Sequence, residues 1–123
     1  MHMLEQLVKQ FKALGEPTRL KIIKLLQDKE LCVCELEALL EMNQPRISQH
    51  LKVLKEAGLV KERKIKQWSY VSLSALLADG KLSAFEHFMD SSLGDIEDLS
   101  AECQRLQVWE EVNAISCSEC DCK

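Results

Sequence analysis

Asn43-Gln44-Pro45-Arg46-Ile47-Ser48-Gln49-His50-Leu51-Lys52-Val53-Leu54 is the stretch on which the fold turns. Asn43 or Gln44 can cap a helix, Pro45 suits its first turn because an N–H there would go unpaired anyway, and Gly58 is placed to end it. Ile47, Leu51 and Leu54 recur at steps of four and three, which marks one face for a core. At about 100° per residue, Gln49 then points away from that core, with Arg46, Ser48 and Lys52 on its flanks and His50 nearer the core edge. An outer face of amides and cations suits base-pair edges, since Gln pairs with adenine and Arg with guanine or phosphate.

Upstream, Met42-Asn43-Gln44 reads as a turn after a short helix over Glu35 to Leu40, with Leu36, Leu39 and Leu40 facing inward. Two helices joined by so short a turn, the second flanked by cations, match a helix-turn-helix. Downstream, Val60, Ile65, Trp68, Tyr70, Val71 and Leu73 are strand-formers around a basic centre. They predict a β-hairpin whose tip carries Arg63, Lys64 and Lys66, a wing that reaches phosphates beside the recognition helix. Charge supports the same face. From Gln44 to Lys66 there are seven basic side chains against two carboxylates, a local charge of +5 in a chain of net charge -4. From Gln67 to Lys123 three basic side chains meet eleven acidic ones, a local charge of -8. A basic band inside an acidic protein is the footprint of a duplex-binding surface.

The rest of the chain supplies a scaffold. Leu4, Leu7, Val8, Phe11 and Leu14 fall at helical spacing and Gly15 ends that helix; Pro17 opens a second, with Leu20, Ile23 and Leu26 on its apolar face. After Leu73, two sets recur every seven residues: Leu82, Met89, Ile96 and Cys103, and Phe85, Ser92, Leu99 and Leu106. That seam predicts one long helix, or two near-collinear ones, with Gly94 as the weak point. Together with the first helix it is the expected dimer surface. A symmetric dimer places two recognition helices about 34 to 36 Å apart on a near-palindromic operator. The expectation is a mainly α, winged helix-turn-helix protein of five or six helices and one hairpin. Residues 1–113 form the DNA-binding and dimerisation domain, and 114–123 a cysteine-rich tail.

With 123 residues the chain is one domain's worth. No apolar run approaches the roughly 18 residues of a membrane span, and no secretory signal is legible, so the expected location is the cytoplasm. His2, in an opening with two possible starts, is given no chemical role. Six cysteines in that compartment read as free thiols. Cys32 and Cys34, in Glu30-Leu-Cys-Val-Cys-Glu35, precede the recognition helix closely enough to couple a soft-ion site to it. A second group, Cys117, Cys120 and Cys122, lies in the tail, while Cys103 on the heptad seam reads as a packing residue. A thiol enzyme needs an anion-cradling loop or a C-x-x-C beside a βαβ unit; the only C-x-x-C here, Cys117 to Cys120, sits in the tail. A thiol-rich metal buffer leaves the basic helix and wing unexplained.

Glu30-Leu-Cys-Val-Cys-Glu-Leu36, Asn43-Gln-Pro-Arg-Ile-Ser-Gln-His-Leu51 and Glu56-Ala-Gly-Leu-Val60 together resemble the ArsR/SmtB family of winged-helix metalloregulatory repressors, in its arsenic-responsive branch. The resemblance covers about Leu7 to Leu73. It implies a homodimer that holds the operator of an arsenic-resistance operon and leaves it when As(III) or Sb(III) binds; an arsenate reductase is the different-class alternative. Cys32 and Cys34 match two of the branch's thiol ligands, but where a third cysteine is usual this chain has Glu37, and where glycine is usual at the wing tip it has Lys66. Glu37 keeps Cd(II), Pb(II) and Zn(II) open as inducers. Zinc sensors of the family carry paired Asp and His ligands along the last helix, where this chain has only His87, read as an ordinary helix residue.

Two expectations concern how the thiols act. A cysteine at a helix N-terminus gains thiolate character. On an intact helix, residues two apart project about 200° from one another, so ligation is expected to distort the start of the third helix. For the missing ligand the tail leaves three options: it completes the Cys32/Cys34 site, forms its own site, or has no essential role. Ten extended residues reach about 33 to 36 Å, far enough for the first.

Overall fold

The computed structural model describes the backbone of residues 3–77 and 79–119 and the side chains of 3–77 and 79–113. The elements run α1 (Met3–Leu14), α2 (Pro17–Asp28), β1 (Leu31–Cys32), α3 (Val33–Leu40), α4 (Gln44–Glu56), β2 (Val60–Ile65), β3 (Trp68–Leu73), α5 (Ser83–Asp90), two single 3₁₀ turns (Leu93–Asp95 and Glu97–Leu99) and α6 (Ser100–Glu119). This is a winged helix-turn-helix, with α3 and α4 as the helical pair and β2–β3 as the wing.

Local chemistry sets each boundary. Glu16 caps α2 by accepting the Arg19 N–H at 3.0 Å ahead of Pro17, and Asn43 caps α4 by accepting the Arg46 N–H at 3.1 Å ahead of Pro45. Gly58, at φ +75°, takes the left-handed turn that leads from α4 into β2, a conformation a side chain would strain. β2 and β3 pair antiparallel from Val60↔Leu73 to Ile65↔Trp68, leaving a two-residue turn, Lys66-Gln67. Lys66 adopts φ +56°, so in place of the usual glycine a left-handed lysine sits in a tight turn. A third strand went unread in the sequence: β1 pairs with β3 through Leu31↔Val71 and Cys32↔Tyr70, giving the order β1-β3-β2.

Ile22, Leu26, Leu31, Leu36, Ile47, Leu51, Leu54, Leu59, Val60 and Val71 form one core beneath the helix-turn-helix and the sheet. Several expected core positions lie elsewhere. Leu39 is exposed, because α3 packs through Leu36. Leu20 is exposed, because α2 buries Thr18, Ile22 and Leu26. On α1, read from sequence as part of a dimer surface, Leu4, Val8 and Phe11 are exposed and Leu7, Gln10 and Ala13 turn inward. The Gln10 side-chain amide is buried with no hydrogen-bond partner among the described residues.

The heptad seam does not continue through one helix. α5 stops at Asp90, the two 3₁₀ turns follow, and α6 starts at Ser100. Ile96 between the turns is buried, and Asp98 accepts the Leu4 N–H at 2.8 Å, tying this segment to the start of α1. Gly94 lies inside the break, with the half-buried Cys103 packed near it. Phe85 of α5 meets Phe11 of α1 edge-on, centroids 5.3 Å apart. Among the described residues, no helix is long and apolar enough to cross a membrane.

Candidate ion site and nucleic-acid interface

The two thiols sit where a strand becomes a helix. Pairing with Tyr70 keeps Cys32 extended (φ -75°, ψ 150°), as the N-cap of α3, while Cys34 already lies in the helix's first turn. The Glu35 carboxylate reaches back to accept the Cys32 N–H at 2.8 Å, the carboxylate half of a capping box. Because only one of the two cysteines is helical, their sulfurs converge to 2.7 Å instead of diverging. The pair thus meets the condition under which residues two apart can face one ion, a first turn that is not helical at Cys32. The thiolate expectation fails for Cys34: the hydrogen bond with Cys32, then desolvation and the nearby Cys32 and Glu35 charges, push its pKa up. These outweigh the helix N-terminus.

Cys32 and Cys34 open onto a cavity of about 410 Å³ that Glu37, Gln44, Ser48 and Lys64 also line. The thiols therefore share one space with the start of the recognition helix and with the wing. The donor set suits a soft, thiophilic ion. Among the described residues no His, Cys, Asp or Glu completes a group of three ligands. Glu37, at the position of the usual third ligand, borders the cavity. Cys120 and Cys122 lie outside the described residues, and Cys117 falls on α6 beyond the described side chains.

On α4, Gln44, Arg46, Gln49 and Lys52 are exposed and Ser48 is half-buried, with Gln44 Nε2 donating to Ser48 Oγ at 2.8 Å. These five share the outer face. His50 does not: its side chain is 16% exposed, with Nδ1 3.2 Å from Arg19 Nη1 and 3.7 Å from Glu16 Oε2. It fastens α4 to the start of α2.

In the wing, Lys66 occupies the turn and Lys64 faces the cavity. Arg63, read from sequence as a tip cation, stands further back opposite Tyr70. Its guanidinium donates to both oxygens of Glu30 at 2.9 and 2.7 Å and lies 5.5 Å from the Tyr70 ring centroid. The Arg63 hydrogen bond holds the Glu30 carboxyl below its usual range. Lys55 of α4 pairs with Glu62 of β2 at 2.6 Å, and the Lys55 and Ser69 hydrogen bonds lower the Glu62 pKa. Sequence reading missed Glu30, Glu35 and Glu62 as positioning groups. Only Glu35 left a local signal, its place three residues after the N-cap.

A basic recognition helix and wing with paired thiols beside them define a DNA-binding regulator class. The description "Bacterial regulatory protein, arsR family" matches residues 16–62. The chain is 46% identical over 71 residues to the HTH-type transcriptional regulator MJ1325 of Methanocaldococcus jannaschii, covering 57% of this chain and 80% of that protein. It is 37% identical over 82 residues to the arsenical resistance operon repressor of Bacillus subtilis, covering 66% and 78%. With the cadmium resistance regulatory protein CadC homolog of Staphylococcus aureus it shares 42% over 66 residues, spanning only 54% of that protein and 53% of this chain. In structure it resembles the homodimeric winged helix-turn-helix domain of Mb0332 from Mycobacterium bovis, at TM-score 0.60 and 27% identity over 74% of this chain and 84% of that one. The chain belongs to the arsR family of bacterial regulatory proteins.

Proposed function

We propose that the protein is a homodimeric repressor that holds operator DNA through α4 and the wing and releases it when As(III) or Sb(III) binds Cys32 and Cys34. The observation that carries this reading is the shared cavity, which puts both sulfurs and the first turn of α4 around one space. Gln44, Arg46, Ser48, Gln49 and Lys52 face the base pairs, and Lys64 and Lys66 the phosphates. Arg63 and His50 act as positioning residues for the wing and α4. Leu4, Val8 and Phe11 of α1, with Met89, Trp109 and Val112 of α5 and α6, form the face on which a second copy sits.

The coupling follows from sulfur geometry. Metal–sulfur bonds of about 2.3 Å hold two thiolates about 3.4 to 3.8 Å apart, and with the Cys32 and Cys34 sulfurs side by side ligation resets their spacing. Cys32 is pinned by strand pairing and by Glu35, so the displacement falls on Cys34 and α3. α3 packs on α4 and passes the shift to the reading face. A coupling of about 1 to 3 kcal/mol is typical of such linkage. For a third thiolate the candidates are the tail cysteines Cys117, Cys120 and Cys122, against the alternatives that the tail forms its own site or has no essential role.

The CadC homolog supports a second reading, with Cd(II), Pb(II) or Zn(II) as inducer. Operator gel shifts titrated side by side with arsenite and Cd(II) separate the two. Cys34→Ser is expected to bind operator normally and to ignore arsenite; release of that variant by arsenite refutes the site. Truncation after Asn113 weakens the arsenite response if the tail ligates and leaves it unchanged if it does not.

A further inference from the structure

Cys32 and Cys34 differ in access as much as they agree in position. Cys34 is exposed, Cys32 is 5% exposed, and their sulfurs are 2.7 Å apart. A covalent S–S bond is about 2.04 Å long, so joining them asks for roughly 0.7 Å of approach and no rearrangement of distant chain. One thiol meets solvent first; the other waits behind it on a backbone fixed by the Tyr70 pairing and the Glu35 hydrogen bond. The geometry points to a redox site, at which a hydroperoxide oxidises the pair to an intrachain Cys32–Cys34 disulfide that can no longer take up a thiophilic ion. The loss of ion uptake rests on the function proposed above; formation of the disulfide does not.

The chemistry balances in two steps. Cys34 gives up its thiol proton, its Sγ attacks a peroxide oxygen, the O–O bond breaks, a sulfenic acid forms on Cys34, and the alkoxide or hydroxide leaves as alcohol or water with that proton. Cys32 Sγ then attacks Cys34 Sγ, the S–O bond breaks, the hydroxyl departs as water with the Cys32 proton, and the S–S bond forms. Two thiols have lost two electrons and two protons, and the hydroperoxide has become an alcohol, or water, plus water. The second step is intramolecular between atoms already in contact, so it outruns further oxidation of the sulfenic acid. Thiolate is the form that ligates, and the disulfide removes both ligands at once.

The sequence makes the test clean. Trypsin cuts after Lys29 and after Arg46, leaving both thiols in one peptide, Glu30–Arg46, that holds no other cysteine. The full reduced chain is treated with hydrogen peroxide, alkylated with iodoacetamide, digested and weighed. The expected peptide is unalkylated, about 2 Da lighter than the dithiol form, and returns to the dithiol with dithiothreitol. Alkylation at both sites, a sulfinic or sulfonic Cys34 beside a free Cys32, or a bond to another cysteine peptide overturns the inference. Cys32→Ser lacks the second thiol and is expected to stop at a Cys34 sulfenic acid that dimedone traps; no adduct overturns the assigned order of attack. In gel shifts, the oxidised protein is expected to stay on operator at arsenite concentrations that release the reduced one, and equal release overturns the gating. If the reduced protein itself ignores arsenite, the proposed function has failed, while the peptide mass still decides the disulfide.

Discussion

The half of the molecule from α2 to β3 and the half made of α1, α5 and α6 treat apolar surface in opposite ways. The first holds the core: Ile22, Leu36, Ile47, Leu54 and Leu59 are fully buried within one chain, with Leu20, Leu39, Ile65 and Trp68 left at its surface. The second leaves its large side chains out, with Met89 63% and Val112 76% exposed and Leu4, Phe11 and Trp109 between a third and a half exposed. The difference teaches that the core beneath the helix-turn-helix and sheet is built within one chain, whereas the terminal helices leave an apolar surface of the kind that marks an interaction site, the one proposed above for a second copy.

The sharpest way to break this contrast is one substitution in each half. Leu36→Ala opens a cavity in a closed core and is expected to cost about 2 to 5 kcal/mol in denaturant unfolding. Trp109→Asp touches only the open face. It is expected to leave the stability of the single chain nearly unchanged, convert dimer to monomer in sedimentation, and lower operator affinity at fixed salt by at least about 100-fold, since one half-site is lost. A Trp109→Asp protein that stays dimeric would place the partner surface elsewhere.

The same division explains what could be read from sequence. α2, α4 and the wing were legible because their signals are local: an acidic or amide cap, a proline in the first turn, a glycine after the last, strand-formers around a short turn. Errors arose where distant residues decide. Cys32 leaves the helix because Tyr70, 38 positions later, pairs with it, and nothing within Glu30 to Glu35 announces that. Arg63 is drawn off the wing tip by Glu30, 33 positions away. The apolar stripe of α1 was legible as apolar, but periodicity could not say which of its members turn inward: Leu7 is buried, while Leu4, Val8 and Phe11 are exposed. The seam's continuity failed because Ile96 is buried in the break and Asp98 ties that segment to α1.

At the thiol corner, pH separates the candidate inducers. The raised pKa of Cys34 keeps it protonated at neutral pH, so an ion must displace that proton. Arsenous acid, As(OH)₃, carries each thiol proton away as water, and its apparent affinity is expected to change little between pH 6 and 8. Cd(II) releases the protons to solvent. Its affinity is expected to rise with pH, by up to about tenfold per unit for each displaced proton below the thiol pKa. For the apoprotein the sign is opposite: a cysteine pKa raised on folding contributes stability below its unfolded value, and that contribution fades as pH climbs through the folded one. Operator-release titrations at three pH values check the first pair, and an arsenite response as steep as that of Cd(II) would break the assignment.

The smallest expected effect tests whether the wing belongs to the self-contained half. Lys66 holds φ +56°, a conformation that costs a non-glycine residue about 1 to 2 kcal/mol, partly offset by the greater chain entropy that glycine gives the unfolded state. Lys66→Gly is therefore expected to stabilise the protein by less than about 1 kcal/mol, and by the same amount in the monomeric Trp109→Asp background if the wing stands clear of the second subunit. It also removes a cation. If Lys66 meets a phosphate, the dependence of log operator affinity on log salt becomes shallower by about 1. Lys66→Asn keeps tolerance of the left-handed turn while losing the charge, so it should reproduce the change in salt slope with less of the stability gain. A stability gain that vanishes on dimer dissociation would show that the wing is braced by the second subunit, and the boundary between the two halves would have to be redrawn.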